Sequence, residues 1–381
     1  MPMRSRVLLV LAVAAVVGGI ALLLAMERDT TDDGDGAAGE VAVDAEPETT
    51  TVPTMPSTTL PPSTTTTTIG RRGSGEPITL AFAGDVHFEG VLDDKLAADP
   101  SAVLAPVAPI LSAADLAVVN LETAITERGE PAPKEFTFRA PPSALTALAS
   151  AGVDAASMAN NHGLDYGPVG LEDSLAAEAA SGFPVIGIGR NATEAYAPYT
   201  ATVKGQRIAV IGATQVLDDV LIAAWTATDT QAGLASAKEV ERLVAAVTAA
   251  RPTTDTLVVF LHWGIERQTC PSGAQQQLAQ QLVDAGADIV VGSHAHRLQG
   301  AGRLGPALIG YGLGNFAFYS APGPGAETGV LLVTATGRDI DTYEWKPAVI
   351  RGGVPQPLEG GAAVGALQSW DQLRGCTGLS P

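Results

Sequence analysis

Asp288-Ile289-Val290-Val291-Gly292-Ser293-His294-Ala295-His296 carries two kinds of chemistry in one short segment. Its first half is an unbroken β-branched run, the composition of a strand covered on both faces. Its second half turns through a glycine into two histidines, side chains that ligate metals or carry protons. A strand followed at once by polar residues puts them outside its carboxyl end, where open α/β sheets hold their ligands.

Read outward, the same arrangement recurs four times. Apolar residues 78–83 run into Gly84-Asp85-Val86-His87, and 116–119 into Asn120-Leu121-Glu122. Residues 155–158 precede Asn160-Asn161-His162, and 256–261 precede His262-Trp263-Gly264. Further strands are expected over 207–211, 307–311, 329–334 and 342–350. The periodicity predicts helices over 143–151, 169–181, 235–250 and 274–285. Strands alternating with helices indicate an α/β fold. All five histidines of the chain fall in these five turns, beside Asp, Glu and Asn. One such histidine alone would read as a satisfied structural residue, but five of them on these strand ends, beside Asp, Glu and Asn, read as one shared site.

The residue types narrow its chemistry. Imidazole, carboxylate and amide oxygen without thiolate suit Mn, Fe, Zn or similar ions. One carboxylate able to bridge, with histidines on both sides, suits two divalent metal ions about 3.5–4 Å apart, as in enzymes that activate a water against a phosphoryl centre.

The 381 residues allow one large α/β domain once the termini are set aside. With aromatics at 5%, the core must be built from Ala, Val, Leu and Gly. A formal net charge of −19 argues against binding to a phosphate backbone, so no nucleic acid partner is expected.

Residues 7–26 form an uninterrupted apolar run, long enough for the roughly 20 residues that cross a bilayer as a helix. Arg4 and Arg6 precede it, which places the N-terminus inside and the remainder outside. A cleaved signal peptide is the alternative, and it exports the chain equally. The expected organisation is an anchor over 1–26, a disordered acidic and Thr/Pro-rich stalk over 27–75, a folded domain over 76–351 and a tail over 352–381. The predicted location is therefore the cell membrane, single-pass, with the folded domain extracytoplasmic. Export exposes Cys270 and Cys376 to an oxidising environment, so a disulfide between them is expected, fastening a tail too polar to dock by burial alone.

The motifs together resemble a known family. Asp85-x-His87, Asn161-His162, His262 and His294-x-His296 resemble four motifs of calcineurin-like metallophosphoesterases. The fuller run resembles the CapA (poly-γ-glutamate capsule synthesis) family over about residues 78–320. It adds Asn120-Leu121-Glu122, Asp165-Tyr166-Gly167, Gly187-Ile188-Gly189-Arg190-Asn191, Glu266 and Gly312-Leu313-Gly314-Asn315-Phe316. The resemblance implies a four-layer α/β/β/α sandwich. It implies that Asp85, His87 and His296 hold one ion, that Asn161, His262 and His294 hold the other, and that Glu122 bridges. His162 would stay off the metals as acid or oxyanion stabiliser, with Asp165 orienting it. Glu122 stands where metallophosphoesterases usually carry Asp.

Three cations are candidates for an anionic substrate: Lys134 and Arg139, which bracket Phe136 and Phe138, and Arg190 in a Gly-x-Gly turn. For each, an ordinary surface charge is the competing reading, as packing is for Trp263. The expected function is metal-dependent hydrolysis of a phosphoester or related bond in envelope or capsule polymer metabolism. The rival is a non-catalytic or assisting subunit of a poly-γ-glutamate synthesis and export complex, handling an anionic polymer.

Overall fold

The computed structural model describes residues 72–319 and 323–381. The apolar run over 7–26 and most of the expected stalk lie outside the described residues. Among the described residues no helix is long and apolar enough to cross a membrane.

Two sheets organise the chain. The first has eight strands, ordered Val354–Pro357, Asp339–Arg351, Glu327–Thr336, Ile78–Val86, Leu116–Leu121, Ala155–Ser157 and Val185–Ile186, with Asn315–Ala317 alongside the end of Ile78–Val86. The second has six, ordered Leu298–Leu304, Ala307–Leu313, Ile289–His294, Thr256–Trp263, Gln206–Thr214 and Tyr199–Val203. From Ile78–Val86 to Val185–Ile186 the pairing is parallel, as it is from Gln206–Thr214 to Ala307–Leu313. Antiparallel strands finish both outer sides of the second sheet and one side of the first.

Strand alternation sends side chains to opposite faces, and here each face is covered. Leu80, Phe82 and Val118 meet Val210, Phe260 and Val291 between the sheets. Ala81, Ala83 and Val119 point the other way, onto Leu145, Leu148 and Leu171 of helices Ser143–Ser150 and Gly167–Ser181. Leu257, Val259 and Leu261 back onto Leu243, Val247, Leu278 and Leu282 of helices Val240–Ala250 and Gly273–Ala285. The order is helix, sheet, sheet, helix, a mixed α/β architecture in four layers, and double coverage explains why the strands read as unbroken apolar runs.

Local chemistry sets the element ends. Helix Gly273–Ala285 starts on a capping box, with Ser272 accepting from the Gln275 amide and Gln275 reaching back, and stops at left-handed Gly286. The helix expected over 235–250 begins only at Val240, because the preceding residues are extended: Ala235 and Ala237 bond to Gly187 and Thr214. Trp263 is fully buried against Tyr311, its indole N–H donating to the Tyr311 carbonyl at 2.7 Å. Trp263 is therefore a packing residue. A side chain on Gly292 would meet Trp263 Nε1 at 2.0 Å, so this position must be glycine.

The C-terminal segment corrects one expectation. Strand Val354–Pro357 completes the first sheet, and helix Gly360–Leu373 packs against strand Leu298–Leu304 of the second sheet and strand Asp339–Arg351 of the first, so residues 352–381 belong to the fold. Trp370 stacks on Trp345 at 5.2 Å and is buried, an apolar anchor inside a segment that otherwise reads as polar. Cys270 and Cys376 are bonded as expected, with a Cα separation of 5.7 Å.

Candidate metal centre

The carboxyl ends of the parallel strands converge on Glu122. Its side chain follows strand Leu116–Leu121 and is completely buried. Neither carboxylate oxygen has a hydrogen-bond partner, and His294 Nδ1 is orphaned as well. Glu122 Oε1 lies 3.5 Å from His262 Nε2 and 3.9 Å from His162 Nε2. The ligand atoms of Glu122, His262 and His294 lie within 4.8 Å of one another, as do those of Asp85, Glu122 and His296. Glu122 thus belongs to both buried groups. Asn161 completes the first: its Oδ1 meets His262 Nε2 at 2.6 Å.

Neighbouring amides hold these side chains in place. Asn120 Nδ2 donates to Asp85 Oδ1 at 2.9 Å and stands 3.2 Å from His262 Nδ1. Asn160 donates to the Asn120 side chain and the Leu121 carbonyl. Asp85 Oδ2 accepts the His294 backbone N–H, and Asn315 Oδ1 sits 2.7 Å from His296 Nδ1. Gly84 makes the first approach possible: a Cβ there would stand 1.8 Å from the Gly314 carbonyl, which instead accepts the Asp85 N–H at 3.0 Å. His294 and His296 both occupy left-handed backbone, at φ 90 and φ 50. Such conformations cost about 1–3 kcal/mol per residue without glycine, and that strain gathers at functional turns.

Charge follows geometry. Burial, then Asp85, raises the Glu122 carboxyl well above the ordinary range. Burial, then His294 and His296, pushes His262 well below its usual value; burial and then His296 bring His294 down to about 3. Burial also works against charged His296, but Glu122, Asp85 and Asn315 outweigh it and push it up to about 10. A buried carboxyl without hydrogen-bond donors, beside the bare imidazoles of His262 and His294, is a costly arrangement that a cation relieves. The oxygen and nitrogen donor set fits a divalent ion.

Above the centre opens a cleft of about 460 Å³, lined among others by Phe138, His162, Arg267, His296, Arg297 and Phe318.

The sequence model of the family described as bacterial capsule synthesis protein PGA_cap matches residues 79–320. The chain belongs to this family. It is 31% identical to the PGA biosynthesis protein CapA of Bacillus subtilis over 252 residues, which is 64% of each chain. It is 31% identical to the capsule biosynthesis protein CapA of Bacillus anthracis, over 64% of this chain and 60% of that one. The matches thus span less than two thirds of either relative. Among solved structures, the 5'-nucleotidase of Candida albicans aligns with a TM-score of 0.43 at 11% identity, covering 78% of this chain and 57% of that one.

Every residue of the centre lies inside the span matched to the PGA_cap family, but its members need sorting. Asp85, Glu122, Asn161, His262, His294 and His296 come together as expected. His87 does not, and the resemblance-based assignment is corrected here. Its Nδ1 faces the Glu89 N–H at 3.1 Å and its Nε2 the Tyr319 N–H at 3.3 Å. Its ring stacks on Phe138 at 4.6 Å, and Phe138 stacks on His162 at 4.1 Å. The cause is the irregular register beside Asp85 and Val86, after which the His87 N–H still bonds to Ala317 and the side chain joins the aromatic column. His162 and Asp165 sit as expected, with Nδ1 and Oδ2 2.5 Å apart.

The expected substrate cations are also corrected. Arg190 pairs with Glu194 and lines a different depression, with Leu164 and Trp225. Arg139 lies over the Tyr166 ring, outside the cleft. Lys134 is in the site but committed: it pairs with Asp165 at 3.0 Å and donates to the Asn161 carbonyl. These contacts tie it to the Asn161-His162 turn. Sequence reasoning misses Arg267 and Arg297, and gives Glu266 no role beyond its place in a motif. Glu266 forms a third group with His294 and His296 within 4.8 Å. Its two-residue distance from Gly264, in the turn that ends the His262 strand, was the available signal.

Proposed function

We propose that this chain is a CapA-like accessory protein of capsule or envelope polymer synthesis that hydrolyses a phosphoester or related bond at a two-metal centre. Its N-terminal apolar run would hold the folded domain on the extracytoplasmic side. The observation that carries the metal-dependent reading is Glu122, buried with both oxygens unpartnered and shared by two ligand groups. Asp85 and His296 would hold one divalent ion, Asn161, His262 and His294 the other, and Glu122 both. Bound there, the ions would polarise the scissile group and lower the pKa of a water.

The chain's own residues supply the proton chemistry. Burial lowers His162 despite the opposing pull of Asp165, so the ring is neutral near pH 7. Asp165 holds the Nδ1 side of the ring and also accepts the Phe138 N–H at 2.6 Å, which fixes ring and tautomer. Nε2 is then a bare acceptor at the cleft wall. It takes up the proton released by the attacking water, Asp165 steadies the imidazolium, and the same atom gives a proton to the leaving oxygen as its bond to the cleaved centre breaks.

A second reading is favoured by the relatives' names, which describe biosynthesis: the centre would position an anionic polymer for synthesis partners rather than cleave it. Metal analysis of the full-length chain, followed by a phosphoester and γ-glutamyl substrate panel, separates the readings. The proposal expects about two ions per chain and turnover, with His162→Ala retaining the ions and losing about 10²–10⁴-fold in kcat. Ions without turnover on any substrate would leave the second reading, and a chain that takes up no metal would end both.

A further inference from the structure

We infer that Arg267 and Arg297 form the anion clamp of the cleft, the pair that selects a substrate bearing an oxyanion, carboxylate or phosphate, and orients it over the centre. The inference rests on the site reading above.

The chain carries 41 acidic residues against 22 basic ones, so arginines readily find carboxylates. Arg128, Arg207, Arg242 and Arg251 each have an aspartate partner. Neither Arg267 nor Arg297 is ion-paired with a carboxylate among the described residues, yet both line the same cleft. Two unmatched guanidiniums in one cleft of so acidic a chain point to a ligand that supplies the negative charge.

Both cations are registered to the turn that carries the metal-ligating histidines. Arg267 is held in left-handed backbone at φ 64, and its N–H donates to the Ala295 carbonyl at 2.7 Å. Cys270, three positions on, is tied to Cys376, which restrains the same loop. Arg297 follows His296 directly, and its Nη1 donates to the His296 carbonyl at 2.7 Å. A side chain at Gly325 would stand 2.9 Å from that Nη1, so glycine leaves the guanidinium its room. A guanidinium carries five donors, and one hydrogen bond leaves the rest for an incoming oxyanion.

The facing wall is aromatic, with Phe138, Phe318 and Tyr319. Glu266 shares the charged wall, but its carboxylate groups with His294 and His296, so its charge is directed at the centre. The cleft therefore sorts a ligand into an anionic end and an apolar or backbone portion.

The test uses the full-length, metal-loaded chain and calorimetric binding of two probes, inorganic phosphate and a short γ-linked glutamate oligomer. Arg267→Gln and Arg297→Gln are each expected to weaken binding of the preferred anion about 10-fold, and the double variant more, with metal content unchanged. Lysine at either position should restore part of the loss, since charge returns without the fork. The probe that responds identifies the oxyanion. A double variant that binds both probes as wild type does would overturn the clamp. Turnover, read separately, keeps the two claims apart: turnover with no arginine dependence of binding sinks the clamp alone. Arginine-dependent binding without turnover supports the clamp while removing the hydrolase reading.

Discussion

Asp288 and Glu122 are both buried carboxylates at strand ends, and the protein treats them in opposite ways. Asp288 precedes strand Ile289–His294. Its Oδ2 accepts from Arg251 at 2.5 Å and from the Leu257 N–H at 2.9 Å, and its Oδ1 from Arg338 at 3.0 Å. Arg251 spends further donors on the Gly286, Thr254 and Asp255 carbonyls. Glu122 follows its strand and receives no donor at all. At one pole the chain satisfies its buried charge internally, and the charge holds structure. At the other it withholds every hydrogen-bond donor, burial holds the carboxyl towards its neutral form, and a cation from outside is what would fix its charge. Burial alone cannot tell the two apart; the inventory of donors can.

Substitution is the direct way to break this contrast. Asp288→Ala takes its carboxylate partner from the largely buried Arg251, and should cost about 3–5 kcal/mol in denaturant unfolding without changing metal content. Glu122→Gln should do the reverse: metal affinity drops at least about 100-fold, while the metal-free fold is unchanged or stabilised because the amide replaces a buried carboxyl whose ionisation burial already opposes. Equal destabilisation by the two substitutions would erase the distinction.

The pH dependence sharpens it. In the metal-free protein His296 holds its proton up to about pH 10, against about 6.5 in an unfolded chain. Its contribution to the metal-free fold is therefore complete below pH 6.5 and disappears as pH rises through about 10. A metal ion needs the bare imidazole, so binding expels that proton. Apparent affinity should climb about tenfold per pH unit towards pH 10. Metal titrations at three pH values that gave one affinity would rule out His296 as a ligand that must lose a proton. The smallest expected effect concerns His87: replacement by Phe should leave the metal-to-protein ratio as in wild type, whereas loss of an ion would restore it to the ligand set.

Much of this was legible in the chain. Apolar runs that give way at once to His, Asn, Asp or Glu announce a strand whose carboxyl end carries chemistry, and five of them announce one rim. What stayed hidden depends on backbone detail or distant partners. Nothing local to His87 reveals the irregular register that turns it onto Phe138. Arg190 and Arg139 look like Arg267 and Arg297 in sequence, because an arginine's partner is set by residues far along the chain. Residues 352–381 read as a polar tail because Trp370 is the one residue of helix Gly360–Leu373 that is buried.

The chain's entry into the fold sits apart from its chemistry. Arg72 pairs with Asp339, and Ser74 bonds to the Lys204 carbonyl, at the amino ends of the strands that follow. Asp85, the eighth residue of strand Ile78–Val86, reaches the rim about 23 Å further on. One strand therefore spans from the seam where residues 72–74 are fastened to the rim where the site is gathered, and a change at Arg72 acts on that seam at a distance from the centre.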